Sequence, residues 1–216
     1  MAMKIMLDPG HNGLADPGAV YEGRRESDDV LRLAMAVGNI LSQSGYDVEY
    51  TRTGNVAQSV TQKAQIANQS GADLFVSFHR NMASYPGQYE GVQTLLYDLS
   101  GLKLTMAENI NQNLEGIGFR NISVEARPNL AVLRCTSMPA LLLEVGFIDS
   151  AADNERFDTR FEEIAQAIAD GMARALTDSA LRSRMIAEGR AYAMETFRPT
   201  TLAQRLMDIY KITLKH

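Results

Sequence analysis

The stretch Asp73-Leu74-Phe75-Val76-Ser77-Phe78-His79-Arg80-Asn81 decides the fold class of this chain. Its short apolar run ends in polar residues, a pattern typical of a buried β-strand. Two other runs have the same form, Lys4-Ile5-Met6-Leu7-Asp8-Pro9-Gly10-His11 and Ala140-Leu141-Leu142-Leu143-Glu144-Val145-Gly146-Phe147. Histidines and a glutamate thus follow predicted strands, and open α/β sheets gather their chemistry at such strand ends.

Helical patterns separate the predicted strands. Apolar residues recur at helical spacing over residues 30–41, 60–69, 102–114 and 161–176, and further strands are predicted at 48–51, 92–97 and 131–133. Strands alternating with helices of this length predict an α/β fold, with a twisted, mainly parallel or mixed sheet and helices on both faces.

The last part of the chain has a different pattern. From Asp178 onward there are two helical patterns and no strand, and Pro199 suits the first turn of the second helix. We therefore expect a domain of residues 1–176 followed by a C-terminal helical hairpin of residues 177–216. Plain helix packing, a fused remnant, oligomerisation through these helices and a targeting element are the alternatives for this appendage.

Composition excludes several classes of protein. The 216 residues carry a net charge of -5 and no basic patch, which argues against a nucleic-acid partner. No stretch approaches the roughly 18 apolar residues that cross a bilayer, and the N-terminus has no apolar region typical of a signal peptide. The single cysteine, Cys135, excludes an internal disulfide framework.

A metal site is the chemistry that the strand ends suggest. A catalytic zinc ion takes three protein ligands and leaves one position for water. His11 and His79 supply two imidazoles, and Glu26 at the start of a helix is the best carboxylate. Glu22, Asp8 and Asp16 are the alternative third ligands. Each residue taken alone also fits a structural role, as a hydrogen-bonded histidine or as an acidic residue at a helix N-terminus.

Metal-assisted hydrolysis also needs a carboxylate that is not a ligand, to take a proton from water and protonate the leaving nitrogen. Glu144 fits this role because it follows an apolar strand, where burial raises the pKa of a carboxyl group. The third histidine, His216, is expected to be inert.

The order of several segments resembles the family of zinc-dependent N-acetylmuramoyl-L-alanine amidases, which includes bacterial cell-wall amidases and phage endolysins. The resemblance covers about residues 3 to 176. The segments that carry it most clearly are Leu7-Asp8-Pro9-Gly10-His11-Asn12-Gly13, Asp16-Pro17-Gly18-Ala19, Glu26, Ser77-Phe78-His79-Arg80-Asn81 and Leu143-Glu144-Val145-Gly146-Phe147-Ile148.

This resemblance implies one Zn²⁺ per chain, bound by His11, Glu26 and His79, with Glu144 as the catalytic residue and no organic cofactor. It implies peptidoglycan as the substrate, and hydrolysis of the amide between N-acetylmuramic acid and L-alanine. Another zinc amidohydrolase or peptidase, and a wall-binding module, are the alternatives. The chain would act on the cell wall, with a signal peptide removed or as a phage-type lysin made in the cytoplasm.

Departures from the family pattern concern the substrate groove. Arg80 stands where a small residue is usual, so we expect its side chain to enter or extend the groove, together with Asn12 and Asn81. Lys63 and Asp149 also replace usual residues. The segment between Asn81 and Gly91 is too short for the inhibitory helix of some relatives, so the site is expected to be open.

Overall fold

A computed structural model describes residues 2–177 of the chain. These residues contain eight strands: β1 Lys4–Pro9, β2 Val20–Tyr21, β3 Arg24–Arg25, β4 Asp47–Tyr50, β5 Leu74–Asn81, β6 Val92–Leu96, β7 Asn121–Ala126 and β8 Ala140–Phe147. The same part of the chain contains six helices: α1 Glu26–Gln43, α2 Val60–Ser70, α3 Gly101–Gly116, α4 Ala131–Arg134, α5 Ala151–Thr159 and α6 Phe161–Thr177.

Six strands form one sheet in the order β4-β1-β5-β8-β6-β7, and β2 pairs with β3 in a separate small hairpin. Strands β4, β1, β5 and β8 are parallel to one another, whereas β6 is antiparallel to β8 and β7 follows the direction of β6. The carboxyl ends of β1, β5 and β8 therefore meet the amino ends of β6 and β7 at one edge of the sheet. The predicted α/β fold with a mixed, mainly parallel sheet is confirmed.

Helices cover both faces of the sheet. Side chains along each strand alternate between the two faces, so both faces carry apolar side chains that the helices bury. Met6, Phe75 and Leu142 pack on one face with residues of α2 and α4. The other face meets α1, whose Gly38 approaches so closely that an added Cβ would lie 1.9 Å from the Tyr50 hydroxyl and 3.1 Å from Leu7. The fully buried Leu33, Val37 and Leu41 of α1 complete this layer.

Local sequence explains where α2 begins and ends. Ser59 and Gln62 form a reciprocal capping box that satisfies two backbone N–H groups at the helix start. Gly71 follows the helix in a left-handed conformation, which glycine adopts without steric cost. These signals fix the position of Lys63, which points from α2 beneath the site described below.

One predicted strand needs correction, and some elements were not predicted. Residues 131–133 form the short helix α4, not a strand, because Val132 and Leu133 are buried against the α2 side of the sheet and a short apolar run fits either element. Strands β2, β3 and β7 and helix α5 were not predicted.

The appendage predicted from residue 177 to 216 lies outside the described residues, except for its first residue. Oligomerisation through it and the role of His216 stay predictions. Among residues 2–177, no helix is long and apolar enough to span a membrane.

Candidate metal centre and catalytic site

Three side chains from separate parts of the sequence meet at the carboxyl ends of β1 and β5. His11 follows β1, His79 lies near the end of β5, and Glu26 is the first residue of α1. The Glu26 carboxylate stands between the two imidazoles, with Oε2 3.0 Å from His11 Nε2 and Oε1 2.9 Å from His79 Nδ1. The structure thus brings together the three predicted ligands.

The cluster has the donor set and spacing of a metal site. One ligand atom from each residue lies within 4.8 Å of the others, and this is the only such group among residues 2–177. Ligands bound tetrahedrally to zinc at about 2.1 Å lie about 3.4 Å apart. The contacts of 2.9 and 3.0 Å between Glu26 and the imidazoles are shorter than that separation, and all three ligand atoms lie within 4.8 Å of one another, so the side chains would adjust their positions around a small ion.

Backbone groups hold the Glu26 carboxylate in place. The Ala19 N–H donates to Oε2 at 2.8 Å, and the Arg80 N–H donates to Oε1 at 3.0 Å. Burial alone raises the pKa of Glu26, but the hydrogen bonds and charges of His11 and His79 outweigh it and hold the pKa well below its usual range. Glu26 is therefore ionised, as a metal ligand must be.

His11 is oriented by a second carboxylate. Its Nδ1 donates to Asp16 Oδ1 at 2.9 Å, which leaves Nε2 facing Glu26. Such outer contacts orient metal-binding imidazoles. The backbone of His11 is left-handed, with φ of 59°, an uncommon conformation for a residue other than glycine. Burial lowers the pKa of His11, but Glu26 and Asp16 raise it on balance.

Two glycines are required for the close packing of the cluster. A Cβ added to Gly10 would lie 2.6 Å from His79 Nε2, and one added to Gly18 would lie 2.5 Å from Glu26 Oε2. Gly10 also donates its N–H to the Phe78 carbonyl at 2.9 Å, which joins the end of β1 to β5. Larger residues at these positions would displace the ligands.

Glu144 lies beside the cluster in a different environment. It is the register partner of His79 on the neighbouring strand β8. Its Oε2 is buried and has no hydrogen-bond partner in the protein. Burial raises the pKa of Glu144 to about 7, a shift that His79 opposes and the charge of Glu26 reinforces. A carboxyl group with this pKa can accept and release a proton near neutral pH.

Buried charges support the loop that carries His11. Lys63 Nζ donates to Asp8 Oδ1 at 2.6 Å and to the Pro9 carbonyl at 2.7 Å. Arg52 donates to the Pro9 and Gly10 carbonyls at 3.0 and 2.7 Å. The two cations therefore fix the backbone just before His11, while Asp8 balances the buried charge of Lys63.

The structure contradicts the prediction that Arg80 lines the groove. Its side chain is fully buried. It bonds Asp29 Oδ2 at 2.6 Å and the Val145 carbonyl at 3.2 Å, and its guanidinium lies over the Phe157 ring. The cause is strand alternation, because Arg80 points to the face opposite its neighbours His79 and Asn81. Lys63 and Asp149 are likewise buried.

Each alternative third ligand is occupied elsewhere or distant from the cluster. Asp8 forms the buried ion pair with Lys63, and Asp16 bonds the outer nitrogen of His11. Glu22 is exposed in the β2–β3 turn, outside the cluster. Asn12 donates its backbone N–H to the Asp16 carbonyl, which closes the loop after His11.

Asn81, at the end of β5, lines a cavity together with Gln93 of β6. Asn81 Nδ2 donates to Gln93 Oε1 at 2.9 Å. Sequence reasoning missed Gln93. The available signal was a polar residue between Val92 and Thr94 in a predicted strand, but its neighbours across the sheet depended on an unpredicted β7.

Comparison with known proteins agrees with this arrangement. A family model described as N-acetylmuramoyl-L-alanine amidase matches residues 5–174. Over 179 residues the chain is 36% identical to the N-acetylmuramoyl-L-alanine amidase CwlM of Bacillus licheniformis, covering 80% of this chain and 68% of that protein. It is 34% identical over 186 residues to an endolysin of Bacillus phage SPP1, covering 82% of this chain and 67% of that protein.

Solved structures share the fold. An N-acetylmuramoyl-L-alanine amidase from Clostridium difficile 630 superposes with a TM-score of 0.76 at 28% identity, over 82% of this chain and 98% of that one. The catalytic domain of the amidase CwlV from Bacillus (Paenibacillus) polymyxa var. colistinus gives a TM-score of 0.72 at 29% identity, over 81% and 98% of the two chains.

Proposed function

We propose that this chain, which belongs to the N-acetylmuramoyl-L-alanine amidase family, performs its hydrolysis with one zinc ion bound by His11, Glu26 and His79. Cleavage of the amide between N-acetylmuramic acid and L-alanine in peptidoglycan follows from the family and from the relatives described above. The identity of the metal and the role of each residue are the proposal.

The donor set supports zinc. Two imidazoles and one carboxylate are a common ligand set of catalytic zinc sites, which leave one position for water. When bound, the ion lowers the pKa of that water and polarises the substrate carbonyl. Asp16 keeps the His11 ring oriented with Nε2 inward, and the Ala19 and Arg80 N–H groups keep the Glu26 carboxylate between the imidazoles.

Glu144 moves the proton in this proposal. Its buried Oε2 has no hydrogen-bond partner in the protein, and Glu144 is the register partner of the proposed ligand His79, so we assign this oxygen to the attacking water. Ionised Glu144 takes a proton from the water as the oxygen attacks the lactyl carbonyl carbon. It then gives the proton to the nitrogen of L-alanine as the C–N bond breaks. A pKa of about 7 suits both transfers.

The observation that carries the proposal is the contrast, at one end of the sheet, between an ionised Glu26 that lies between two histidines and a Glu144 whose buried Oε2 has no partner. We further propose residues 1–176 as the catalytic domain, acting on the cell wall. The three residues suit an amidohydrolase or peptidase of another substrate class equally well, and the products of the reaction distinguish these activities.

The test uses the full chain and purified muropeptide. We expect free stem peptide and an intact lactyl carboxylate by mass spectrometry, loss of both after dialysis against a chelator, and recovery with one equivalent of Zn²⁺. Activity that survives complete metal removal would exclude the metal mechanism. Cleavage at another peptide bond would identify a different hydrolase.

A further inference from the structure

One lateral row of polar side chains leads away from the metal centre across three strands. His79 of β5 is the register partner of Glu144 of β8, which is in turn the partner of Gln93 of β6, and Gln93 is the partner of Ser123 of β7. Hydrogen bonds confirm that these side chains share a face, since Gln93 Nε2 donates to Ser123 Oγ at 3.1 Å.

We propose that Gln93 and Ser123 form a subsite for the peptide stem of the substrate, on the leaving-group side of the scissile amide. This inference rests on the proposed function of the metal centre. It assigns a substrate-binding role to two residues beyond the ligands and Glu144, and it assigns the chemical class of their ligand as an extended peptide.

The direction in which the stem peptide leaves the metal centre follows from the role of Glu144. This residue gives its proton to the nitrogen of L-alanine, so the nitrogen side of the tetrahedral carbon faces β8. Metal ligands His11 and His79 lie on the other side of Glu144, because β1 and β5 precede β8 in the sheet order. The stem peptide attached to that nitrogen therefore continues over β6 and β7, and the muramic acid lies on the opposite side.

Distances along the row match a short peptide. Neighbouring strands lie about 4.8 Å apart, so Ser123 is about 10 Å from Glu144 across the sheet. An extended chain advances about 3.3 to 3.6 Å for each residue. About three residues of stem thus cover the row, with L-alanine at Glu144, the second residue at Gln93 and the third near Ser123.

A cavity of about 320 Å³ opens beside Gln93 and Asn81. Its walls include Met82, Tyr89 and Ile122, three large apolar side chains that are respectively 44%, 53% and 37% exposed. Apolar walls with a few polar groups are usual in ligand sites. Methyl and methylene groups of a stem peptide fit these walls, while its amides reach the side-chain amides of Asn81 and Gln93.

The side-chain amides of Gln93 and Asn81 each keep a hydrogen-bonding position that no protein group uses. An amide oxygen has two lone pairs and an amide nitrogen two hydrogens. Gln93 Oε1 accepts one hydrogen bond from Asn81, and Asn81 Nδ2 donates that same bond. Gln93 Nε2 uses both of its hydrogens within the protein, on Ser123 Oγ at 3.1 Å and on Glu125 Oε1 at 3.3 Å, and the Ser123 hydroxyl donates to Glu125 Oε1 at 2.7 Å. The second lone pair of Gln93 Oε1 can therefore accept from a peptide N–H, and the second hydrogen of Asn81 Nδ2 can bond a peptide carbonyl.

Gln93→Leu tests the subsite because it keeps the volume and removes the amide. Kinetics are compared on N-acetylmuramoyl-L-alanine and on the same sugar with a three-residue stem. Loss of one or two hydrogen bonds predicts a KM increase of about three- to tenfold for the longer substrate alone, with a similar kcat. Ser123→Ala, a smaller change, should act in the same direction, and the exposed Gln112→Ala on α3 is the matched control.

Product inhibition gives a second readout that does not depend on cleavage of the short substrate. Gln93→Leu should weaken inhibition by the free three-residue stem by the same factor and leave inhibition by N-acetylmuramic acid unchanged. Equal effects on both products, an effect on the sugar alone, or none would overturn the subsite. A wild-type chain that cleaves neither substrate would instead refute the proposed function.

Discussion

Glu26 and Glu144 lie at the same edge of the sheet, but their surroundings differ. Glu26, at the start of α1, receives two backbone N–H groups and lies between two imidazoles. Glu144, on β8, has a buried oxygen with no partner. The pKa of Glu26 is consequently held far below its usual range, whereas burial raises that of Glu144 to about 7.

This difference assigns the two roles by physical environment. A carboxylate surrounded by donors is ionised and positioned, as a metal ligand must be, and cannot act as a base near neutral pH. A desolvated carboxyl group without partners exchanges its proton readily near pH 7. Pairs of titratable groups whose surroundings separate their pKa values commonly divide acid–base work in this way.

The strongest test of the comparison replaces each glutamate by glutamine. Glu144→Gln should lower kcat by about 10²- to 10⁴-fold and leave zinc bound, because only proton transfer is removed. Glu26→Gln should lose both activity and zinc, because an amide is a poor ligand. Zinc content by atomic absorption, measured beside muropeptide hydrolysis, separates the two results.

Exposed Glu115→Gln on α3 is the matched control and should behave as the wild type. If Glu144→Gln lost the metal while Glu26→Gln retained it, the two roles would be reversed. Equal metal loss in both variants would make Glu144 a fourth ligand.

A smaller effect is expected from Asp16→Asn, which weakens the contact that orients His11 without touching the ligand set. Changes of this kind typically reduce metal affinity or activity by about 10- to 100-fold. Competition with a chromogenic chelator measures the zinc affinity. Asp170→Asn on the exposed side of α6 is the control, and an unchanged affinity in Asp16→Asn would limit Asp16 to a structural role in the loop.

The pH dependence of the rate is the next expected effect. Glu144 must be ionised to accept a proton, so kcat/KM should fall as pH falls through its pKa, by tenfold for each unit at the acidic limit. A bound cation lowers this pKa, which places the midpoint at or below about 7. A profile without an acidic limb in this range would contradict a base role for Glu144.

The stability of the metal-free protein tests the same raised pKa of Glu144, but here a higher pH is expected to be unfavourable. Because the folded pKa of Glu144 lies above its unfolded value near 4.5, the folded state binds more protons between these values and loses stability as pH rises to about 7. Glu144→Gln removes this loss. Urea unfolding at pH 7 should show the variant more stable than wild type by on the order of 1 kcal/mol.

The buried ion pair beneath the site illustrates what sequence cannot give. From the sequence, Lys63 was interpreted as a substitution that affects the substrate groove. In the structure its ammonium pairs with Asp8 and donates to the Pro9 carbonyl below the His11 loop. Arg80 was predicted to line the groove, but its side chain lies on the opposite face of β5, where it contacts Asp29 and Phe157. Both errors come from assigning a side chain to the site without knowing which face it occupies.

Local sequence patterns by themselves determined several of the strands and the main residues of the site. Short apolar runs predicted the strands β1, β5 and β8, and the scarce histidines at the ends of β1 and β5 predicted a metal site. Tertiary structure alone decided that α4 is a helix, that β6 and β7 run opposite to the other strands, and that Gln93 and Ser123 therefore extend the row from Glu144. Strand direction and register depend on contacts between distant residues, which no local pattern encodes.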